Sequence, residues 1–149
     1  MSDHRDTAQR KADVLSTLER HGHAWLATAT RSAIPHMVVV AAVWNGEAIV
    51  VATRGSSRTA RNLDEGRRAR LGFGSADDAI LIDVEVTSTL SVADAGETGA
   101  LFRRAAGWDP ADEGPDWRYF ILRPMRIQAY RGYGEIERSE VMARGRWLA

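Results

Sequence analysis

The sequence predicts a mainly β domain of the α+β class, a six- to seven-stranded antiparallel barrel with short flanking helices, spanning residues 1–149 as one unit. Three observations predict it. Residues 80–92 alternate: Ile80, Ile82, Val84, Val86, Leu90 and Val92 fall on one face, and Asp83, Glu85, Thr87, Thr89 and Ser91 on the other. That two-residue period belongs to an antiparallel strand with one wet face. The other apolar runs are short and divided by turn residues, with Asn45-Gly46 the strongest hairpin signal. No strand–helix–strand unit carries a phosphate fingerprint, since Gly72-Phe73-Gly74 is too short for one.

The elements follow in order. Residues 6–21 read as a helix capped by Asp6 or Thr7, with Ala8, Ala12, Leu15 and Leu18 at helical spacing and Gly22 ending it. Residues 24–30 form a first strand. Pro35 opens a second, 36–44, whose β-branched run turns at Asn45-Gly46 into a third, 47–53. Gly55-Ser56 turns the chain into a short helix, 57–65, and 67–73 returns as a strand. After the long strand 80–92 comes a second short helix, 96–106. The segment 109–115, rich in Pro, Gly and acids, reads as a loop. Residues 119–131 form another long strand, in which Pro124 marks a bulge or an edge. The segment 134–148 closes as a hairpin turning at Arg144-Gly145.

Composition narrows the function classes. Basic and acidic residues balance at 20 each, which argues against a dedicated nucleic-acid binder. The absence of cysteine removes disulfides, thiolate metal sites and thiol nucleophiles. The apolar stretch 37–44 is too short to span a bilayer, and the polar segment 1–11 lacks a signal-peptide core, so no membrane partner and a cytoplasmic location are expected. Lys11 is the lone lysine, so 19 of the 20 basic residues are arginine. A GC-rich genome produces that bias, and only arginines in telling positions carry weight.

Chemistry concentrates in Thr53-Arg54-Gly55-Ser56-Ser57-Arg58-Thr59-Ala60-Arg61-Asn62-Leu63. A strand ends, Gly55 permits a sharp turn, and a helix opens behind serines. Helix N-termini present free N–H groups and a positive partial charge, which suit phosphate. Arg58 lies in the first turn, where its planar fork can grip phosphate oxygens in pairs. Thr53, Ser56, Ser57 and Thr59 add short donors, while Ala60 and Leu63 turn to the core. A helix cap flanked by solvated arginines has the same local pattern, so the segment alone does not decide between them.

Thr53-x-x-x-Ser57-Arg58-Thr59-Ala60-Arg61-Asn62-Leu63, followed by Arg68-Ala69-Arg70-Leu71, resembles the phosphate-binding region of the pyridoxamine 5′-phosphate oxidase-like split β-barrel superfamily, in its flavin/deazaflavin oxidoreductase branch. The strand Pro35-His36-Met37-Val38-Val39-Val40 and the Asn45-Gly46 hairpin resemble its opening. Pro124-Met125-Arg126-Ile127-Gln128-Ala129-Tyr130-Arg131-Gly132, Arg138 and Arg146-Trp147-Leu148 resemble its closing strands. The resemblance implies a homodimer with two interface sites for flavin mononucleotide (FMN) or the deazaflavin F420. It implies hydride transfer to or from a small organic substrate, with a non-catalytic flavin- or haem-binding carrier as the alternative. Met37, Val38, Val39 and Val40 would run along the ring, and Thr53, Ser57, Arg58 and Thr59 would surround the phosphate. Tyr130 would reach the cofactor of the other subunit, and Arg138 would lie near it. Thr59 stands where a lysine is common, and the segment 134–138 lacks the arginine–histidine pair of true pyridoxamine phosphate oxidases, which argues against vitamin B6 oxidation.

No side chain is assigned as an acid or base, because such a cofactor carries the hydride itself. The arginines Arg54, Arg58 and Arg61 around one short helix favour F420, whose polyglutamyl tail needs basic contacts, over FMN. His21 and His23 read as helix-exit residues rather than metal ligands, and His36 as a plain strand residue ahead of the alternative that it lines the cofactor strand. Asp83 and Glu85 read as solvated. Trp25 and Trp44 are expected in the core or a dimer interface, and Trp108 and Trp117 are candidates for a substrate pocket.

Overall fold

The computed structural model describes residues 4–149, so Met1–Asp3 of the expected domain lie outside the described residues. Helix α1, Thr7–Glu19, opens on a reciprocal cap. The Asp6 side chain accepts from Gln9 N, and the Gln9 side chain accepts from Asp6 N. The buried stripe of α1 is Arg10, Val14 and Leu18, whereas Ala8 and Ala12 are exposed. A methyl group gains little from burial, so the alanines did not set the inward face. The left-handed residue after the helix is His21, not Gly22. His21 Nδ1 accepts from Trp44 N at 3.1 Å, which ties the helix exit to the barrel seam.

The strands are β1 His23–Ala29, β2 Pro35–Ala41, β3 Val43–Trp44, β4 Ile49–Arg54, β5 Arg68–Ser75, β6 Asp78–Ser91, β7 Trp117–Tyr130, β8 Glu140–Ala143 and β9 Arg146–Trp147. Their main path runs β2-β1-β5-β6-β7-β4-β3 with antiparallel pairing throughout, and β8 and β9 extend from β7. The expected 36–44 strand breaks at Ala42, whose N–H donates to Gly22 O. Its halves border opposite ends of the curled sheet, so the half-barrel meets itself along one run of chain.

The interior is lined by Leu26, Val40, Ile49, Val51, Leu71, Ile82, Val84, Phe120, Leu122 and Ile127, with Val14 and Leu18 of α1. A second cluster lies outside the sheet, where Val43, Val50, Ala52 and Tyr119 are covered by Phe102. Phe102 belongs to helix α3, Gly96–Ala106. Strand β4 is therefore buried on both faces, which is why its sequence runs apolar without alternation.

Strand β6 keeps its period only to Val86. A register shift between Val86 and Ser88 follows, and Leu90 and Val92 pack against the outer cluster instead of the interior. Asp83 is ion-paired to Arg70 at 2.7 Å rather than simply solvated. Pro124 marks a bulge, not an edge. It lies opposite Val84 at a register shift, in the stretch of β7 between its pairing with β4 and its pairing with β8, where no N–H is demanded of it. The expected loop 109–115 contains a one-turn helix, α4 Pro110–Glu113, capped by Asp109. Only 140–147 of the expected final hairpin forms strands. It turns at Arg144-Gly145, both at positive φ, and a 3₁₀ segment Tyr133–Arg138 precedes it.

Glu135, in that segment, clasps the two ends of the chain. Its buried carboxylate accepts from Arg5 N at 2.8 Å, Arg5 Nη2 at 2.8 Å and Arg131 N at 2.8 Å. Arg10, buried beside it, donates to the carbonyls of Arg5 and Arg138. Side-chain hydrogen bonding from Arg5 is the main reason the Glu135 carboxyl titrates at about 2, below its ordinary 4.5. A lowered carboxyl pKa stabilises the fold above the unfolded value, and that contribution is lost as pH falls from about 4.5 through about 2. It is worth up to about 3 kcal/mol. Urea midpoints at about pH 7 and about pH 3 should therefore differ strongly for the parent, and Glu135→Gln should abolish most of that difference; an unchanged difference in the variant would assign acid sensitivity elsewhere.

Candidate functional site

Helix α2, Arg58–Gly66, begins where the sequence places it. Ser57 is its N-cap, accepting from Ala60 N at 3.0 Å, and Thr53 Oγ1 and Ser57 Oγ share a hydrogen bond of 3.0 Å. Ala60 and Leu63 are fully buried in the interior cluster. Two polar ties fix the helix further. Asn62 Nδ2 donates to Thr28 Oγ1 of β1 at 3.0 Å, with both residues buried, and Arg118 of β7 makes a forked pair with Asp64 at 2.8 and 2.9 Å. Bonding from Arg118 is the main cause holding the Asp64 carboxyl below its ordinary range. With that face anchored, Arg58 and Arg61 point to solvent, and neither makes an ion pair among the described residues.

The turn into α2 is pinned from above. Gly55 N donates to Asp116 O at 2.8 Å, and Ser56 N and Oγ donate to the Asp116 carboxylate at 3.3 and 3.1 Å. This contact leaves no room for a side chain at Gly55, where a Cβ would lie 2.8 Å from the Asp116 carboxylate and 3.0 Å from its backbone oxygen.

A cleft of about 460 Å³ opens between β2, the end of β4 and the start of α2. Val38, Val39, Val40, Thr53, Ser57, Arg58 and Thr59, all expected from the sequence, line it together. The other three candidates do not. Met37 points outward and is 60% exposed, Tyr130 sits at the far end of β7 opposite Ala79, and Arg138 ends the 3₁₀ segment. Trp108 and Trp117 line the cleft and meet edge to face at 5.6 Å. The excursion between β6 and β7 delivers them, with Phe102 packed edge to face on Trp108 at 5.3 Å. Arg54 lies over the Trp117 ring at 6.0 Å. Trp117 Nε1 is buried without a hydrogen-bond partner.

Four lining residues were not assigned to the site from sequence, the apolar Ala41 and Ala52 and the two histidines His23 and His36. The signal for His36 was its register, because it shares the inward phase of β2 with Val38 and Val40. Its Nε2 lies 3.1 Å from Thr59 Oγ1. Among the described residues no carboxylate lines the cleft; its ionisable groups there are His23, His36 and Arg58. The first two amides of α2, at Arg58 and Thr59, have no intrahelical acceptor. Free amides, hydroxyls and an unpaired guanidinium at one end, with valines and tryptophans beyond, fit a planar ligand that carries a phosphate. Among the described residues no group of three or more His, Asp or Glu is placed to hold a metal ion, and no helix is long and apolar enough to cross a membrane.

Comparison with protein families matches residues 11–140 to the model described as pyridoxamine 5′-phosphate oxidase. Comparison with curated proteins gives no match. Among solved structures, an F420 reductase is similar at 20% identity and TM-score 0.63, over 75% of this chain and 93% of that one. A pyridoxamine 5′-phosphate oxidase-related, FMN-binding protein from Nostoc punctiforme is similar at 12% identity and TM-score 0.60, over 88% and 87%. General stress protein 26 from Bacillus anthracis is similar at 16% identity and TM-score 0.64, over 80% and 92%. At such identities these likenesses show the shared fold.

The crossing of Asp116 over Gly55 yields a stability test. Gly55→Ala should destabilise the protein by roughly 1–3 kcal/mol in thermal or urea unfolding. Gly22→Ala, where no atom would lie within 4 Å of the new carbon, should stay within about 0.5 kcal/mol. Equal effects at the two positions would mean that the crossing is loose.

Proposed function

The chain belongs to the pyridoxamine 5′-phosphate oxidase family, and from that premise we propose that it uses the cleft at the start of α2 to hold F420 or FMN by the phosphate, as an oxidoreductase acting on a small organic molecule. The single observation that carries this is the convergence of Arg58, the free amides of α2 and three hydroxyls on one acid-free cleft. Arg58 binds phosphate oxygens through charge-assisted hydrogen bonds, while Thr53, Ser57 and Thr59 fix its orientation. Val38 to Val40 give the ring an apolar flank, and Trp108 and Trp117 exclude water from the other side. When bound, the cofactor supplies the hydride chemistry. The likeness in fold to an F420 reductase and to the Nostoc FMN-binding protein supports a cofactor of this kind. The exposed arginines Arg54, Arg58 and Arg61 favour F420 of the two, because a polyanionic tail gains from each of them.

The working unit in this proposal is a homodimer. Trp25, Ile34, Met37 and Val39 are 54%, 56%, 60% and 52% exposed, and Trp25 pairs directly with Val39 across β1 and β2. An apolar face of this kind seeks cover, and two-fold pairing is the commonest way to provide it. A second copy would also be the source of Tyr130 and Arg138 for the site.

Titration of apo-protein with F420 and with FMN, at low and high salt, tests the cofactor. F420 should bind more tightly and lose more affinity with salt. Arg58→Ala should weaken either by about tenfold or more, with unfolding unchanged. Tight FMN binding without F420 binding would reverse the preference, parent-like affinity in Arg58→Ala would remove the phosphate assignment, and no binding of either would end the proposal. Sedimentation tests the assembly. The parent should run at twice the 16.4 kDa chain mass and Trp25→Glu as a folded monomer, whereas a monomeric parent at micromolar concentration rejects the shared site.

A further inference from the structure

We propose that His36 is a positioning residue for the bound anion, acting through Thr59, and that the cleft holds a phosphate or sulfate group more tightly when the His36 imidazole is protonated. The proposal rests on the reading of this cleft as a phosphate site. His36 is half-buried on β2, and Thr59 is 3% exposed at the second position of α2. They share the 3.1 Å contact between Nε2 and Oγ1, and both line the cleft beside Arg58.

The Thr59 hydroxyl has one hydrogen to give. When His36 is neutral with Nε2 bare, that hydrogen is spent on the ring. When His36 is a cation, both ring nitrogens carry hydrogens, Nε2 must donate, and Thr59 Oγ1 becomes the acceptor. The Thr59 hydrogen is then free to point to a third atom. Protonation thus removes the competing tautomer, adds a positive charge, and makes Thr59 a polarised donor toward the cleft.

The surroundings leave an anion as the natural recipient. Across β1, Thr28 stands opposite His36 and is engaged by Asn62. Helix α2 brings Arg58 and Arg61, with Asp64 already paired to Arg118 and Glu65 exposed. Strand β4 brings Thr53 and the exposed Arg54, and the crossing segment brings Asp116, which is engaged by Ser56. His23 and Arg58 are the other ionisable groups lining the cleft, and neither is an acid. Among the described residues no carboxylate lines the cleft to occupy the imidazolium, so a ligand anion meets no competitor among them there.

Linkage makes this measurable from both sides, because an anion favoured by protonated His36 raises the pKa of His36 by the logarithm of that same factor. The first arm follows the His36 ring proton by NMR against pH, with and without inorganic sulfate, whose charge stays fixed across the range; the signal is assigned with His36→Gln. The second arm compares FMN with riboflavin, which lacks the phosphate, at about pH 6 and about pH 8, spanning the ordinary imidazole range. His36→Gln keeps a hydrogen-bonding partner for Thr59 and controls for titration of the FMN phosphate. Sulfate should raise the His36 midpoint by about half a unit or more, and the FMN-to-riboflavin affinity ratio should favour low pH by about threefold more in the parent than in His36→Gln. FMN binding with identical pH profiles in both proteins would overturn the role of His36 and leave the cofactor site standing. A sulfate-dependent His36 midpoint without binding of FMN or F420 would support the anion role and overturn the cofactor reading. No sulfate effect and no cofactor binding would overturn both.

Discussion

One stretch of backbone, residues 35–44, serves as both borders of the sheet, and much of the molecule follows from that. Its first half pairs with β1 and its second with β4, so the break at Ala42 falls where the sheet meets itself. Strand β2 is thereby left with one unpaired edge beside α2 and the end of β4, and the cleft opens there. Holding the break costs backbone hydrogen bonds, and nearby groups recover them: Gly22 accepts from Ala42, and the His21 ring accepts from Trp44. A left-handed histidine at a helix exit and a gap in a valine-rich strand are two sides of one closure.

Around the cleft, charge is sorted as well as placed. The acid of α2, Asp64, is held by Arg118 on the far side of the helix, and Asp116 is spent on the Gly55-Ser56 turn. What remains toward the cleft is cationic or neutral. For the proposed phosphate this sorting counts beside Arg58, because a carboxylate facing the cleft would repel an anion there.

The sequence was most legible where a single residue dictates local geometry. Ser57 as cap, Gly55 as the only residue that fits under Asp116, and Ala60 and Leu63 at helical spacing locate α2 and its first turn to within a residue. Strand β6 was legible to Val86 because its period is strict, and it failed beyond because a bulge changes the phase without changing composition. The inward face of α1 was misread because alanine gives a weak signal and a buried arginine gives a misleading one. Arg10 is inside because it bonds the Arg138 carbonyl, 128 positions away, and no local pattern contains that fact. The His36–Thr59 contact joins two elements 23 positions apart, and the tryptophan pair meets only because the loop before β7 folds back, so these residues could be nominated but not assembled.

The excursion between β6 and β7 separates two kinds of inheritance. Those strands pair with each other from Ala79↔Tyr130 to Ser91↔Arg118, whatever joins them. The connector nevertheless supplies Trp108, and with it part of one wall of the cleft. Its architectural duties are to keep Val43, Val50 and Ala52 covered, which Phe102 and its neighbours do from the outside, and to bring Asp116 onto the Gly55-Ser56 turn. A lineage that keeps Asp116 can therefore rewrite the rest of this cassette and reshape one wall of the cleft, while the barrel and the start of α2 are passed on unaltered. Grafting the same segment between homologues is a route to a differently walled cleft that leaves the foldable chassis alone.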